Sequence, residues 1–246
     1  MALAAAAGLV AAGPAVLGVE VLLATRGKQA PPPPAGIDAC VGCEGPEPPL
    51  RTFWLGDSTA AGFGVQAPEA VVGRQVAARL GRPVQVTVLA SGGATVSDVV
   101  EEQLPRLPDD AQVVFVSVGA NDTTHLTRRE AFSSAYRRLV ERMPDSACVV
   151  LLGVPDMGSP PRLAQPLRAV AGWRGRALDD EVQAVARATG ATYVDIAGAT
   201  GPAFRRDRSL FSVDGYHPSA AGYALWAGAV TSAMRAADVP GGGCAE

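Results

Sequence analysis

The sequence predicts an α/β protein, a three-layer α/β/α sandwich in which helices cover both faces of a mostly parallel sheet. Two patterns lead to this prediction. Short runs of apolar and β-branched residues, typical of strands buried on both faces, occur at residues 52–55, 84–89, 113–118, 148–152 and 192–196. Segments with helical periodicity separate these runs, and strands that alternate with helices build sandwiches of this kind.

The clearest helical segment begins at Thr127. Together with Glu130, three residues later, Thr127 has the spacing of a capping box, and Pro144 ends the segment. Within it, apolar residues recur every three or four positions, at Phe132, Tyr136, Leu139 and Met143. We expect this stripe to face the core. Similar stripes precede Gly81, at positions 72, 76 and 80, and Gly190, at positions 178, 182 and 185.

The composition is that of one folded domain. The chain has 246 residues, of which 48% are hydrophobic and 18% charged, so it has enough apolar material for one core and too little charge for disorder. The formal net charge is −3. A chain without a broad basic field does not attract nucleic-acid phosphates, so we expect no nucleic acid among its partners.

The first 25 residues form a hydrophobic segment. Residues 2–25 carry no charge except Glu20, and a helix of this length can cross a bilayer. We therefore expect an N-terminal segment in the membrane, with a cleaved signal peptide or a buried helix as the alternatives. Either of the first two interpretations places the protein in the cell envelope, anchored or secreted, and leaves its orientation open.

A proline-rich linker is predicted at residues 26–50. Residues 31–34 are all proline, and three further prolines follow at positions 46, 48 and 49. This composition favours an extended polyproline spacer over a packed core. The catalytic domain is then expected at residues 51–238, followed by a flexible tail at residues 239–246.

The cysteines are too few for a disulfide-built scaffold. Cys40 and Cys43 have the spacing of half a zinc site, but the sequence has no second pair of cysteines or histidines to complete four ligands. We expect Cys40 and Cys43 either to form a local disulfide or to form no bond. Cys148 falls in an apolar strand and is expected in the core, whereas Cys244 lies in the glycine-rich tail.

A candidate nucleophile follows the first predicted strand. In open parallel sheets the functional loops gather at the carboxyl ends of the strands, and Ser58 comes at such an end, in Gly56-Asp57-Ser58. A serine hydroxyl needs a positioned base, for which histidine is best matched. His217 follows Asp214 by three residues, so that a short turn can fold the carboxylate against the imidazole.

The second histidine of the chain, His125, is a rival base. Asp122 lies three residues before it, as Asp214 lies before His217. The turn between Asp122 and His125 contains no glycine, which makes that pairing less favourable. We expect His217 to be the catalytic base and His125 to be a structural or pocket-lining residue.

Two other strand ends supply candidate donors for an oxyanion. Asn121 follows the third predicted strand, and its neutral side-chain amide can donate to the negative oxygen of an acyl-transfer intermediate. Gly92 and Gly93 follow the second strand, where glycine lets a backbone amide approach a carbonyl closely. We prefer Gly93 as the backbone donor. Asp57 is expected to bond local backbone and stiffen the turn.

Together these segments resemble the SGNH subgroup of the GDSL hydrolases. The resemblance covers about residues 51–236 and is carried by Gly56-Asp57-Ser58, Ser91-Gly92-Gly93-Ala94, Gly119-Ala120-Asn121-Asp122 and Asp214-Gly215-Tyr216-His217. It implies a flavodoxin-like fold, an acyl-enzyme mechanism, and an oxyanion hole formed by the amides of Ser58 and Gly93 with Asn121. It implies no metal and no cofactor. Thr59 departs from the family, which often has leucine after the serine.

The function predicted from these residues is that of a serine esterase or lipase. Ser58, Asp214 and His217 are expected to hydrolyse carboxylic acyl esters, with a lipid or lysophospholipid as substrate. The alternatives are a carbohydrate O-deacetylase with the same triad and a non-catalytic, membrane-anchored binding module. An ordinary α/β-hydrolase does not fit, because Ala60 replaces the last glycine of Gly-x-Ser-x-Gly and the serine follows the first strand. The sequence leaves the oligomeric state open.

Overall fold

A six-stranded sheet forms the centre of the computed structural model, which describes Glu20, residues 26–237 and residue 239. The strands are β1 (Ala39–Val41), β2 (Leu50–Gly56), β3 (Val84–Val88), β4 (Val113–Ser117), β5 (Cys148–Leu152) and β6 (Thr192–Val194), in the order β1-β3-β2-β4-β5-β6. Strands β2 to β6 pair in parallel, and β1 lies antiparallel to β3 at one edge. All the predicted strands are confirmed, and β1 is added to them.

Both faces of the sheet are buried, as the continuous apolar strands predict. Along β4, Val114 and Val116 pack into one core cluster, whereas Val113 and Phe115 pack into the other. This alternation follows from the two-residue period of a strand. The central strands β4 and β5 therefore have apolar residues at almost every position, which explains why they are visible in the sequence.

Helices cover the two faces and complete the predicted three-layer sandwich. They are α1 (Ser58–Ala61), α2 (Val72–Ala77), α3 (Val96–Asp98), α4 (Ala120–Thr124), α5 (Arg129–Glu141), α6 (Leu167–Thr189), α7 (Ile196–Arg206) and α8 (Ala220–Ala236). Residues of α3, α5 and α6 belong to one core cluster, and residues of α2, α7 and α8 belong to the other. The predicted apolar stripe of α5 is confirmed, since Phe132, Tyr136 and Leu139 are fully buried.

The predicted capping box at the start of α5 is wrong. The N-cap of this helix is Arg128, which makes no side-chain capping bond. Thr127 instead donates its amide to the carbonyl of Asp122, at 3.0 Å, and so closes the turn that leaves α4. A capping box does form at α3, where Thr95 and Asp98 satisfy each other's backbone amides.

The segment predicted as a linker is partly built into the domain. It contributes β1, and Asp38 next to it accepts a hydrogen bond from the amide of Val88, at 2.8 Å. Cys40 and Cys43 form a disulfide, the local pairing that the sequence left as one alternative. The short strand was not predicted from the sequence because three residues carry too little pattern to indicate a strand.

The expected membrane segment lies outside the described residues, except for Glu20, and so does the predicted tail apart from residue 239. Cys244 lies outside them as well. Within the part of the chain that the structure describes, no helix is both long and apolar enough to span a bilayer. The carboxylate of Glu20 accepts a hydrogen bond from the amide of Leu167, at 2.8 Å.

Candidate active site

Ser58 occupies the first position of α1, immediately beyond the carboxyl end of β2. The turn needs glycine at position 56, because its φ is +140° and a side chain there would collide with the carbonyl of Ser117. Asp57 is the N-cap of α1. The sharp turn places Ser58 at the rim of the sheet, where it is partly exposed.

Asp57 stiffens this turn, as predicted. Its carboxylate accepts hydrogen bonds from the amide of Thr59, at 2.9 Å, and from the Thr59 hydroxyl, at 2.7 Å. Asp57 is almost completely buried. Burial raises its pKa to about 6, against the opposing effect of the Thr59 hydrogen bonds. Thr59 thus serves the turn with both its amide and its hydroxyl.

The structure brings Ser58, His217 and Asp214 together. His217 Nε2 lies 2.8 Å from Ser58 Oγ, and His217 Nδ1 lies 2.6 Å from Asp214 Oδ2. The other carboxylate oxygen, Asp214 Oδ1, accepts the amides of Tyr216, at 3.0 Å, and His217, at 3.1 Å. Both ends of the imidazole are therefore held, and the serine hydroxyl faces the nitrogen that can accept its proton.

Asp214 is held in its ionised form. Burial acts to raise its pKa, but the hydrogen bond from His217, the backbone amides and the positive charge of a protonated His217 together outweigh burial. The net result is a pKa below the ordinary value for aspartate. An ionised Asp214 is what a histidine needs if it is to gain a proton during the reaction.

His125 lies away from this group. It ends α4, it is exposed, and it does not line the cavity beside His217. The carboxylate of Asp122, its potential partner, is buried and accepts the amide of Val96, at 3.1 Å. The geometry thus selects His217 over His125 as the partner of Ser58.

The three candidate oxyanion donors, Ser58, Gly93 and Asn121, follow the carboxyl ends of β2, β3 and β4. The Ser58 amide is in the first turn of α1, where backbone donors have no acceptor within the helix. Gly93 sits in an exposed turn with φ +85°, a conformation that favours glycine. Asn121 donates one amide hydrogen to the carbonyl of Ala94, at 3.0 Å, which ties it to the Gly93 turn. A side-chain amide has a second hydrogen to offer to a substrate.

Gly92 is also required, for a different reason. A Cβ on Gly92 would lie 2.7 Å from the ring of Phe63, whereas a Cβ on Gly93 would meet nothing within 4 Å. Phe63 in turn faces the imidazole of His217, with the ring centroids 5.8 Å apart. Gly92 therefore leaves room for the ring of Phe63 beside His217, and Gly93 forms the turn.

The segment around Phe63, which contacts the loop that carries His217, was not predicted from the sequence. Tyr223 donates its hydroxyl to the carbonyl of Phe63, and Ser212 donates its hydroxyl to the carbonyl of Gly64, each at 2.7 Å. Gly64 has φ +96°, and a Cβ there would lie 2.6 Å from the carbonyl oxygen of Pro218 and 3.0 Å from His217 Cβ. The glycines on either side of Phe63 were the signal of this close approach.

Two cavities meet at His217 and Tyr216. The larger has a volume of about 470 Å³ and includes Asn121 in its lining. Its wall is mainly apolar, with Phe63, Leu126, Leu163, Leu167, Val170 and Ala171. The smaller, of about 40 Å³, lies beside Ser58 and Thr59 and is bounded by Met157, Phe204 and Trp226. An ester bound at Ser58 thus has one wide apolar space and one narrow space available.

Comparisons with known proteins give a family match. Residues 54–225 match the GDSL-like lipase/acylhydrolase family. A GDSL-like esterase of Mycobacterium tuberculosis is 35% identical over 191 residues, a match that covers 74% of this chain and 60% of the relative. The chain therefore spans less than two thirds of that relative's length.

Solved structures share the fold. A phospholipase A1 from Streptomyces albidoflavus matches with a TM-score of 0.57 and 22% identity, over 77% of this chain and 99% of that protein. A variant of an acetyl xylan esterase from Geobacillus stearothermophilus matches with a TM-score of 0.58 and 20% identity, over 75% of this chain and 94% of that one. At these identities the likeness concerns the fold alone.

Proposed function

Because the chain belongs to the GDSL-like lipase/acylhydrolase family, we propose that it hydrolyses carboxylic acyl esters through an acyl-enzyme. Ser58 is the nucleophile, His217 the general base and acid, and Asp214 the residue that orients the imidazole. The observation that carries the proposal is the continuous contact from Ser58 Oγ to His217, at 2.8 Å, and from His217 to Asp214, at 2.6 Å. The same contact argues against a non-catalytic binding module, which has no need of it.

In the first half of the reaction, His217 Nε2 takes the proton of the Ser58 hydroxyl while Oγ bonds to the ester carbonyl carbon. The carbonyl oxygen becomes negative and accepts hydrogen bonds from the amides of Ser58 and Gly93 and from Asn121. The bond to the alcohol oxygen then breaks, and His217 gives its proton to the departing alcohol. Ser58 is left carrying the acyl group.

In the second half, a water molecule attacks the acyl carbon and His217 Nε2 takes a proton from that water. The same donors hold the second oxyanion. When the bond to Ser58 Oγ breaks, His217 returns the proton to the serine and the carboxylic acid is released. Asp214 remains ionised throughout and stabilises the imidazolium that forms twice in each cycle.

The larger cavity supports an acyl ester with an apolar chain, as in a lipid or lysophospholipid. Leucine, valine and alanine side chains make up most of its apolar lining and favour methylene groups over sugar hydroxyls, and Arg162 and Arg174 add two cations to the wall. The shared fold does not make this choice, since both a phospholipase A1 and an acetyl xylan esterase have it. The chemistry of the cavity wall is therefore the basis for the substrate class.

A carbohydrate O-deacetylase is the second candidate, and the smaller cavity favours it. This space lies directly beside Ser58 and has room for only a short group such as an acetyl. If the acyl group enters it, the wide cavity holds the alcohol part of the substrate instead. The two candidates differ in which side of the ester is long.

The test is hydrolysis of p-nitrophenyl esters from acetate to decanoate by the full chain, with Ser58→Ala as the control. For the lipid-ester candidate we expect kcat/KM to rise with chain length up to the octanoate. A maximum at the acetate, with release of acetate from acetylated xylan, would favour the deacetylase. If Ser58→Ala hydrolysed these esters as fast as the parent, and a fluorophosphonate probe failed to label Ser58, the proposal would be wrong.

We also propose a location in the cell envelope, with the apolar N-terminal segment in or across the membrane. The disulfide between Cys40 and Cys43 supports this location, because disulfides persist in oxidising compartments. Fractionation of cells that express the full chain tests it. The protein is expected in the membrane or secreted fraction, with no free thiol at Cys40 or Cys43, and recovery as a soluble cytoplasmic protein would contradict it.

A further inference from the structure

The predicted linker contributes to the wall of the larger cavity. Gln29 and Ala30 line this cavity together with Asn121 and His217. They belong to a segment, residues 28–31, that we call the strap. The first turn of α6, with Leu167 and Val170, lines the same cavity. The cavity is thus enclosed on one side by a segment that precedes the catalytic domain in the sequence.

Hydrogen bonds to backbone carbonyls hold the strap at both ends. At its start, Arg162 Nη1 donates to the carbonyl of Lys28 and also to the carbonyl of Asp214, the latter at 3.2 Å. At its end, the amide of Gly64 donates to the carbonyl of Pro31, at 3.0 Å. The strap is therefore tied to the two loops that position the catalytic acid and base.

The prolines explain why the strap can hold this path. The four consecutive prolines at 31–34 restrict φ and favour an extended chain, so little conformational entropy is lost when the segment lies against the domain. Proline offers a carbonyl and no amide donor, and the contact at Pro31 uses only its carbonyl. An extended proline segment thus suits a wall better than a flexible linker would.

We propose that the strap is part of the acyl-binding site and limits the length of the acyl chain, with Ala30 as the residue that sets the width of the cavity there. This inference rests on the proposed ester hydrolysis. Ala30 is the smallest side chain of the strap, and it is partly buried at the cavity. Because Pro31 follows, residue 30 has an extended backbone that accepts any side chain.

The experiment compares Ala30→Trp with Ala35→Trp in the full chain. Ala35 is exposed, lies in the same proline-rich segment and does not line the cavity, so it is the matched control. We measure the ratio of kcat/KM for p-nitrophenyl octanoate to that for the acetate. Ala30→Trp should lower this ratio about tenfold or more, the order expected when two methylenes are excluded from an apolar site. Ala35→Trp should leave the ratio unchanged.

Ligand binding provides a readout that does not depend on turnover. In a Ser58→Ala background, calorimetric titration with decanoate should show binding that Ala30→Trp weakens by about tenfold and Ala35→Trp does not. Ala30→Leu, a smaller change, should give an intermediate loss. Thermal unfolding establishes whether each variant folds. If Ala30→Trp does not fold, the affinity of Ala30→Leu for decanoate tests the strap instead.

The strap inference is overturned if Ala30→Trp and Ala30→Leu change neither the ratio nor decanoate affinity, or if decanoate does not bind at all. Failure of the proposed function has a different signature. In that case no ester is hydrolysed in a Ser58-dependent manner. Decanoate affinity then tests the strap alone: a loss of affinity in Ala30→Trp supports its role in the cavity, and an unchanged affinity overturns it.

Discussion

His217 Nε2 lies 2.8 Å from Ser58 Oγ although 159 positions separate the two residues in the chain. Their contact depends on the short segment that follows the serine, since the backbone of Gly64, six residues after Ser58, packs against the loop that carries His217. The hydroxyls of Ser212 and Tyr223 hold this segment by donating hydrogen bonds to the carbonyls of Gly64 and Phe63. The distance between Ser58 and His217 is thus maintained by these contacts as well as by the hydrogen bond between the two residues.

The two histidines should differ sharply in importance. Replacing His217 by alanine removes the only base within reach of Ser58 among the described residues, so kcat should fall by about 10⁴-fold or more. His125→Ala is the matched control, because His125 is exposed and lies off the cavity. Its kcat should stay within about twofold of the parent. Steady-state kinetics on a p-nitrophenyl ester measures both, and equal losses would refute the base assignment.

Removal of the Asn121 amide should slow chemistry more than binding. Asn121→Ala is expected to lower kcat by about 10²- to 10³-fold with a smaller change in KM, because the lost donor acts on the oxyanion. Asn121→Asp keeps the shape but places a negative charge near the oxyanion, and it should be at least as slow. A kcat for Asn121→Asp close to that of the parent would contradict the donor role.

Gly64 and Gly81 offer a matched pair of substitutions. Both have a positive φ, of +96° and +70°, so alanine at either should cost about 1 kcal/mol of unfolding free energy through backbone strain. A Cβ at Gly81 meets nothing within 4 Å, whereas one at Gly64 meets Pro218 and His217. Gly64→Ala should therefore also lower kcat, by about tenfold or more. Gly81→Ala should lose stability without losing activity.

Chemical denaturation and steady-state kinetics on the two variants test this difference. Equal kcat values for Gly64→Ala and Gly81→Ala would show that the approach of Gly64 does not position His217.

The carboxylate of Asp179 should make stability depend on pH. Burial raises the pKa of this group from 3.8 to about 6, despite hydrogen bonds from Tyr193 and from the amide of Val154. The folded state thus binds the proton more tightly than the unfolded state, and ionisation lowers stability as pH rises from about 4 to 6. The loss is complete above pH 6 and absent below pH 4.

Asp179→Asn removes this charge and can keep both hydrogen-bond partners. At about pH 8 it should be more stable than the parent by about 1–2 kcal/mol, and the gain should vanish as pH falls below about 4. Urea unfolding across this pH range measures the difference, and activity should not change because Asp179 does not line either cavity described beside His217. A gain that persisted at low pH would rule out ionisation of Asp179 as its cause.

Most of the fold could be predicted because its signals are local. The central strands β4 and β5 are apolar on both faces, and α5 has an apolar stripe that the sequence displays directly. The capping box at Thr127 failed because another turn had already engaged that residue's amide. Strand β1 was missed because three residues at an edge carry too little pattern. In both cases the local sequence is compatible with more than one conformation, and contacts with other segments determine which one forms.

The chemistry-bearing residues could likewise be named from the sequence, since a nucleophile, a base, a carboxylate and donors each follow a strand or a turn. Their residue types and local spacing are covalent properties of the chain. Only the tertiary structure decided that Ser58 meets His217 and not His125, and that Gly64 supports this contact. Only the tertiary structure turned a proline-rich spacer into a cavity wall at Ala30. These outcomes rest on packing and hydrogen bonds between residues far apart in the chain, which no local pattern encodes.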